Sequence, residues 1–434
     1  MITYLKYVRP RRMSLALLAT LCFSLAGLFQ AQAMQVQNTK NLTLGEAIAR
    51  TLDKNSELQA YPFEVRMLDG ELLQAGQKPL PELGVMLENA FGTGDLNGLQ
   101  ASELTVTLSQ TFEMGGKRQA RRTLVGAKQR LMEEEYRLAR TDILAEVTRR
   151  YYHLLHIQKL ADITAQQLEA QKKAKELVSE RVTAGAIPAA DLSKIELEIA
   201  DTGLRLRELE QAGLKAVIRL AAMWMATPDF SAINGALTTN YRVPESTTLE
   251  QVIETAPPYL HAVALTRLSE SGVSLAITRN KQDIKLGVGV RRNESLNDQA
   301  LMFTFSMPLA FGNPNKGRIL AARAENQMNA MQQEQVRQKL LRSLFELRQE
   351  MIADQSLSAG IKNEVRPAAI KLLADAEKAY STGAYSILEW IDAQNKRFEL
   401  DRRQADTALS FMMKLLELER ITGSALATAR SGDK

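Results

Sequence analysis

Between Gln119 and Val182 the chain runs for some 64 residues without a proline and with one glycine, Gly126. Within that stretch Leu144, Val147, Tyr151 and Leu154 recur at 3-4-3 spacing, the heptad seam of a coiled coil. After a polar break at Gln158 the seam continues through Ala161, Ala165 and Leu168. One continuous helix of that length would extend about 96 Å at 1.5 Å per residue. No compact domain accommodates such a rod. It must pack side by side with others of its kind.

The helical pattern ends at a small-residue turn that the chain carries twice. The first copy reads RVTAGAIPAADLSKIELEIAD, Arg181 to Asp201, and the second AYSTGAYSILEWIDAQNKRFELD, Ala379 to Asp401. Thr183-Ala184-Gly185-Ala186 matches Ser381-Thr382-Gly383-Ala384, and Asp191 falls on Glu389. Each copy joins one helical pattern to the next, which is the signature of a hairpin tip.

The surrounding order repeats as well, giving a first repeat over 34–225, a linker over 226–247 and a second repeat over 248–424. The first opens on a helix with a capping-box string, Thr43 to Glu46, which Pro62 is expected to interrupt. The period then changes to two, predicting strands at about 82–91 and 101–112 around a Gly/Asn-rich loop. A long helix is predicted over 117–182 and, beyond the tip, another over 188–225. Thr248 to Ile253 echoes Thr43 to Ile48. Strands come next at about 283–292 and 300–309, then helices over 316–381 broken near Pro367, the second tip, and a helix over 386–422. Residues 425–434 read as a loose tail.

The first 33 residues have the form of a secretory signal: Lys6, Arg9, Arg11 and Arg12, an apolar run from Met13 to Phe29, and Ala31-Gln32-Ala33. Cleavage takes four of 55 basic residues and none of 50 acidic ones, leaving a net charge of +1. The pI near 9.1 is then a property of the signal, and nucleic-acid binding loses its motive. The single cysteine, Cys22, lies in the same segment. No later apolar run reaches about 18 residues, so a membrane can be crossed only by strands.

Four strands of about ten residues cannot close a membrane barrel, since the smallest have about eight. An open sheet edge is not tolerated in lipid. Several chains that share one barrel and one helical tube would satisfy both constraints.

The whole order from Asn41 to about Ser424 resembles the TolC-like outer-membrane efflux factors. The strings Ser109-Gln110-Thr111-Phe112-Glu113-Met114-Gly115-Gly116-Lys117-Arg118 and Met307-Pro308-Leu309-Ala310-Phe311-Gly312-Asn313-Pro314-Asn315-Lys316-Gly317 are similar to the CzcC-like heavy-metal branch. The resemblance implies a mainly α protein with membrane β: a homotrimer whose twelve-stranded outer-membrane β-barrel takes four strands per chain. Below it hangs a periplasmic α-barrel of coiled-coil hairpins. It implies a passive duct that needs no cofactor, served by a periplasmic adaptor (a membrane fusion protein) and an inner-membrane RND-type pump, with heavy-metal cations as substrate.

By the same resemblance Asp191, Glu389 and Asp392 line a periplasmic gate, where a ring of like charges selects cations and favours opening. Each has a plainer reading. Ser386 to Glu389 forms a capping box, Asp191 complements a helix dipole, and Lys194, the match of Asp392, can pair with one of the acids. Gly185, Ala186, Gly383 and Ala384 are turn residues that the resemblance also assigns to adaptor contact. His153 and His156 form an H-x-x-H that reads as structural or solvated, not as a metal site. No nucleotide loop, zinc motif or nucleophile elbow is present, so an enzyme is not expected. The competing readings are the same duct for drugs or other organic molecules, and a soluble periplasmic coiled-coil adaptor or scaffold.

Overall fold

The computed structural model describes residues 41–309 and 312–424, with the backbone of 428–429. The expected signal segment lies outside the described residues, as does most of the expected tail.

Two short helices lead in, α1 (Leu44–Lys54) and α2 (Ser56–Ala75). Thr43 and Glu46 close the capping box of α1. The break falls at Asn55, not at Pro62. The Asn55 side chain accepts from the N–H groups of Glu57 and Leu58 at 3.1 and 3.4 Å, so the residue that ends α1 also caps α2. Pro62 sits inside α2 without ending it.

The first hairpin pairs β1 (Glu82–Glu88) with β2 (Glu103–Phe112). β1 stops three residues before its expected end because Asn89 and Phe91 take positive φ, 54° and 58°, and turn the chain into the loop. β2 leads to α3 (Lys117–Thr183), an unbroken helix of 67 residues, about 100 Å long. Its return partner is α4 (Ala189–Ala221). The linker adds one strand residue pair, β3 (Tyr241–Arg242), and then α5 (Ser246–Val252) and α6 (Pro257–Thr278) lead to β4 (Ile284–Asn293) and β5 (Asp298–Ser306). β5 ends short of its expected limit, ahead of Pro308, which has no N–H to continue the ladder.

The second long helix spans nearly the same length of chain as α3 but in three pieces: α7 (Lys316–Gly360), a π-turn (Ile361–Val365) and α8 (Arg366–Ser381). Pro367 has no N–H for the turn before it, and the π-turn absorbs that loss without bending the chain out of helix. The return helix is α9 (Ile387–Thr422). Thr428 and Ala429, in the stretch read as a loose tail, form β6 against Arg242 and Tyr241.

The four long strands make one antiparallel sheet in the order β1-β2-β4-β5, so β1 and β5 are both edges. Register sorts the two faces. Leu83, Leu108, Val288 and Phe303 form one row across the sheet, and Val85, Val106, Val290 and Leu301 the next. All eight are exposed, Phe303 at 82%. The opposite face carries Glu82, Ser109, Gly287 and Thr304, then Gly84, Thr107, Gly289 and Met302. A Cβ on Gly289 would lie 2.5 Å from the Val106 carbonyl oxygen, so glycine there permits close strand approach on the polar face.

Apolar packing holds the helices as a curtain. One cluster joins α1, α3 and α4 around Val147, Tyr151, Leu220 and Trp224. A second joins α5, α7 and α9 around Leu249, Leu344 and Phe411. A third lies just above the tips. No helix among the described residues is long and apolar enough to cross a membrane.

Candidate functional site: the paired hairpin tips

Both tips close with the same hydrogen bonds. In the first, Gly185 has φ 69°, its N–H donates to Val182 O at 2.9 Å, and Ala186 N–H donates to Arg181 O at 2.9 Å. In the second, Gly383 has φ 77°, its N–H donates to Tyr380 O at 3.1 Å, and Ala384 N–H donates to Ala379 O at 2.9 Å. These are two Schellman turns, which explains the repeated small-residue string: the left-handed residue must be glycine, and the next must be able to turn away. No atom would crowd a Cβ on either glycine, so backbone conformation alone selects them. All four tip residues are exposed.

The helices beyond the turns begin differently. Ser386 caps α9: Glu389 N–H donates to its hydroxyl at 3.4 Å, and Ser386 N–H donates to Glu389 Oε2 at 2.7 Å. That backbone N–H, with the Ser386 hydroxyl at 2.9 Å, holds the Glu389 carboxyl below the ordinary carboxylate range. In the first tip the capping position is Pro188. Proline has no N–H to offer, so Asp191, the residue matching Glu389, cannot close a box. Among the described residues Asp191 has no side-chain hydrogen bond and no ion pair, and it is half-buried. Asp392 is exposed and likewise unpaired among the described residues. Lys194 pairs with neither acid. The structure thus divides the three expected acids into one occupied cap, Glu389, and two free carboxylates.

Arg181 ties the two tips together, a role the residue pattern did not reveal. Its guanidinium donates to Tyr380 O at 3.1 Å, which also accepts from the Gly383 N–H, and to Ser381 O at 3.4 Å, both at the end of α8. It also lies 4.2 Å from the Tyr380 ring centroid, and that ring stacks on Trp390 at 5.2 Å. Deeper in the bundle Gln167 donates to Asn395 at 2.9 Å and accepts from Arg402 at 2.7 Å, joining α3 to α9.

His153 is exposed, while His156 Nε2 lies 3.1 Å from Asp406. Burial pushes the His156 pKa down, and Asp406 opposes that shift. No group of three or more potential metal-binding His, Cys, Asp or Glu residues occurs among the described residues. On the polar face of the sheet, Arg291 reaches Glu103 at 3.1 Å and Glu88 at 3.5 Å, and Lys285 reaches Glu82 at 2.6 Å.

Comparison with known proteins gives a consistent answer. Residues 47–224 match the family described as outer membrane efflux protein. The cobalt-zinc-cadmium resistance protein CzcC of Cupriavidus metallidurans is 24% identical over 387 residues, covering 88% of this chain and 90% of the relative. The solved structure of CusC superposes with a TM-score of 0.74 at 15% identity, over 88% of this chain and 92% of that one. The outer membrane protein VceC of Vibrio cholerae gives 0.70 at 19% identity, over 88% and 96%.

Proposed function

We propose that this chain is a member of the outer membrane efflux family, which its residues 47–224 match, and that it is the passive trimeric exit duct of a tripartite pump for heavy-metal cations. The observation that carries the reading is the open four-stranded sheet, with apolar rows exposed on one face and polar and glycine residues on the other. Lipid on the first face and a wet lumen behind the second explain that arrangement. The unpaired edges of β1 and β5 require neighbours, and three copies supply twelve strands.

The helical curtain carries a matching demand. Leu197, Leu204 and Ile218 are exposed along α4, and Ile370 and Leu372 along α8 at the other side. Copies set side by side would bury the α4 stripe against the α8 side of the next chain and close the tube. Such a duct performs no catalysis. Energy comes from an inner-membrane pump, reached through a periplasmic adaptor at the exposed turns Gly185-Ala186 and Gly383-Ala384. The free carboxylates of Asp191 and Asp392 attract cations to the mouth, while Glu389 is committed to its helix. The metal assignment draws on the name and the length of match of the cobalt-zinc-cadmium relative.

Fractionation tests the duct: the mature protein is expected in the outer membrane as a detergent-requiring trimer. Recovery as a soluble periplasmic monomer would overturn it. Deleting the gene is expected to lower tolerance to divalent metal salts. Lost tolerance to organic toxicants with metal tolerance unchanged would move the assignment to drugs.

A further inference from the structure

A cavity of about 1110 Å³ opens between α3, the π-turn, α9 and the linker, well away from the tips. Its two long walls are the same stretch of each repeat. One runs along α3 from Leu155 to Gln166 and the other from Gln355 to Arg366, each ending roughly the same distance above its tip glycine. The linker, Gly235 to Asn240, crosses it, and α9 supplies the floor. Every side comes from one chain.

The walls differ in charge. On the α3 side Lys159 faces Asp162 at 3.3 Å, a neutral pair. On the other side the π-turn and the start of α8 bring Lys362 and Arg366 to the cavity, beside Arg397 from α9. One carboxylate, Asp401, serves both arginines, at 3.1 and 3.9 Å. Lys362 has no ion pair among the described residues. Three cations against one acid leave that wall with a net positive charge of two. Pro367 accounts for a break in the helix, but not for the gathering of cations at it.

The rest of the lining is different in kind. Leu155, Ile163, Ala405 and Ala408 give the cavity an apolar side. At the floor Gln404 donates to Ser358 at 2.7 Å, while its Oε1 is buried without a partner among the described residues. A buried acceptor left open costs on the order of 1–3 kcal/mol unless something donates to it. The volume suits a molecule of drug size or smaller, with a few polar groups that fix its orientation.

We propose that this cavity binds an amphiphilic organic anion, its acidic head held by Lys362, Arg366 and Arg397 and its apolar body against Leu155, Ile163 and Ala408. Charge-assisted contacts hold the head and apolar burial holds the body. Because the ligand touches both repeats, it would brace them against each other midway along the tube.

Phenyl phosphate is a suitable probe, since it joins a compact apolar ring to a dianion and stays in water. Titrated calorimetrically into the full-length trimer in a non-ionic detergent, it is expected to bind saturably. Inorganic phosphate and benzyl alcohol are each expected to bind about ten-fold more weakly or not at all, because each lacks one half of the recognition. Lys362→Glu is expected to weaken phenyl phosphate by about ten-fold or more, and Lys362→Arg to retain it. Lys362 is exposed and unpaired among the described residues, so neither change threatens the fold. No saturable binding, or equal binding by Lys362→Glu, overturns the site. Inorganic phosphate binding as tightly as phenyl phosphate overturns the amphiphilic assignment.

Discussion

The two tips share a turn but start the next helix in different ways. At the first, Pro188 begins the helix without an N–H and leaves Asp191 free; at the second, Ser386 and Glu389 satisfy each other. Two acids at the same helical position therefore have different work available to them. An acid whose oxygens are already bonded to its own helix is a poor candidate for attracting ions, and one whose capping partner is proline is a good one. The difference lies in the N–H and the hydroxyl that Ser386 has and Pro188 lacks, and it separates a carboxylate engaged by its own helix from one left unpaired.

The bond between the tips should give the largest effect. Arg181→Ala removes two charge-assisted hydrogen bonds and a cation–π contact, so the α8–α9 end should lose about 2–3 kcal/mol of local stability. Hydrogen exchange at residues 379–385 reads this directly, and the first tip should change less. Equal loosening of both tips would mean that Arg181 supports the bundle at large.

Next come the shared turns. Gly185→Ala and Gly383→Ala should each cost about 1–2 kcal/mol, and equally, because only the left-handed backbone resists the methyl group. A clear inequality in thermal unfolding would show that the turns are not equivalent. Caps should then separate the tips. Ser386→Ala should cost about 1 kcal/mol, whereas Pro188→Ser gives the first tip the N–H and hydroxyl it lacks and lets Asp191 close a box. The serine variant should gain stability and lose cation preference together.

Acidity provides the mildest contrast. Because the Glu389 pKa is depressed in the folded chain, its cap is fully present above the ordinary value near 4.5 and is lost as pH falls through the folded value. Amide exchange at the start of α9 should rise on acidification through that range, with no matching rise at the start of α4.

Much of the architecture was legible in the residues. Alternation at Val106, Val288 and Phe303 marked the strands, and the long proline-free run marked α3. Ser386 to Glu389 also announced its capping box. The features that stayed hidden depend on contacts distant in sequence or on local rescue. Arg181 meets Tyr380 across 199 residues, a pairing no spacing rule reports. Pro62 was expected to break a helix that Asn55 had already divided, and Pro367 produced a π-turn instead of a gap. The consequence of Pro188 was open to inspection, since proline never has an N–H, but it emerges only once Asp191 is seen at the third helical position.

Single-channel recording tests the central claim most directly. Purified mature protein in a planar bilayer under a salt gradient should form pores whose reversal potential favours cations, and Asp191→Asn with Asp392→Asn should move that potential towards zero while Glu389→Gln leaves it nearly unchanged. Absence of pores, or a shift produced by Glu389→Gln and not by the double variant, would contradict the account.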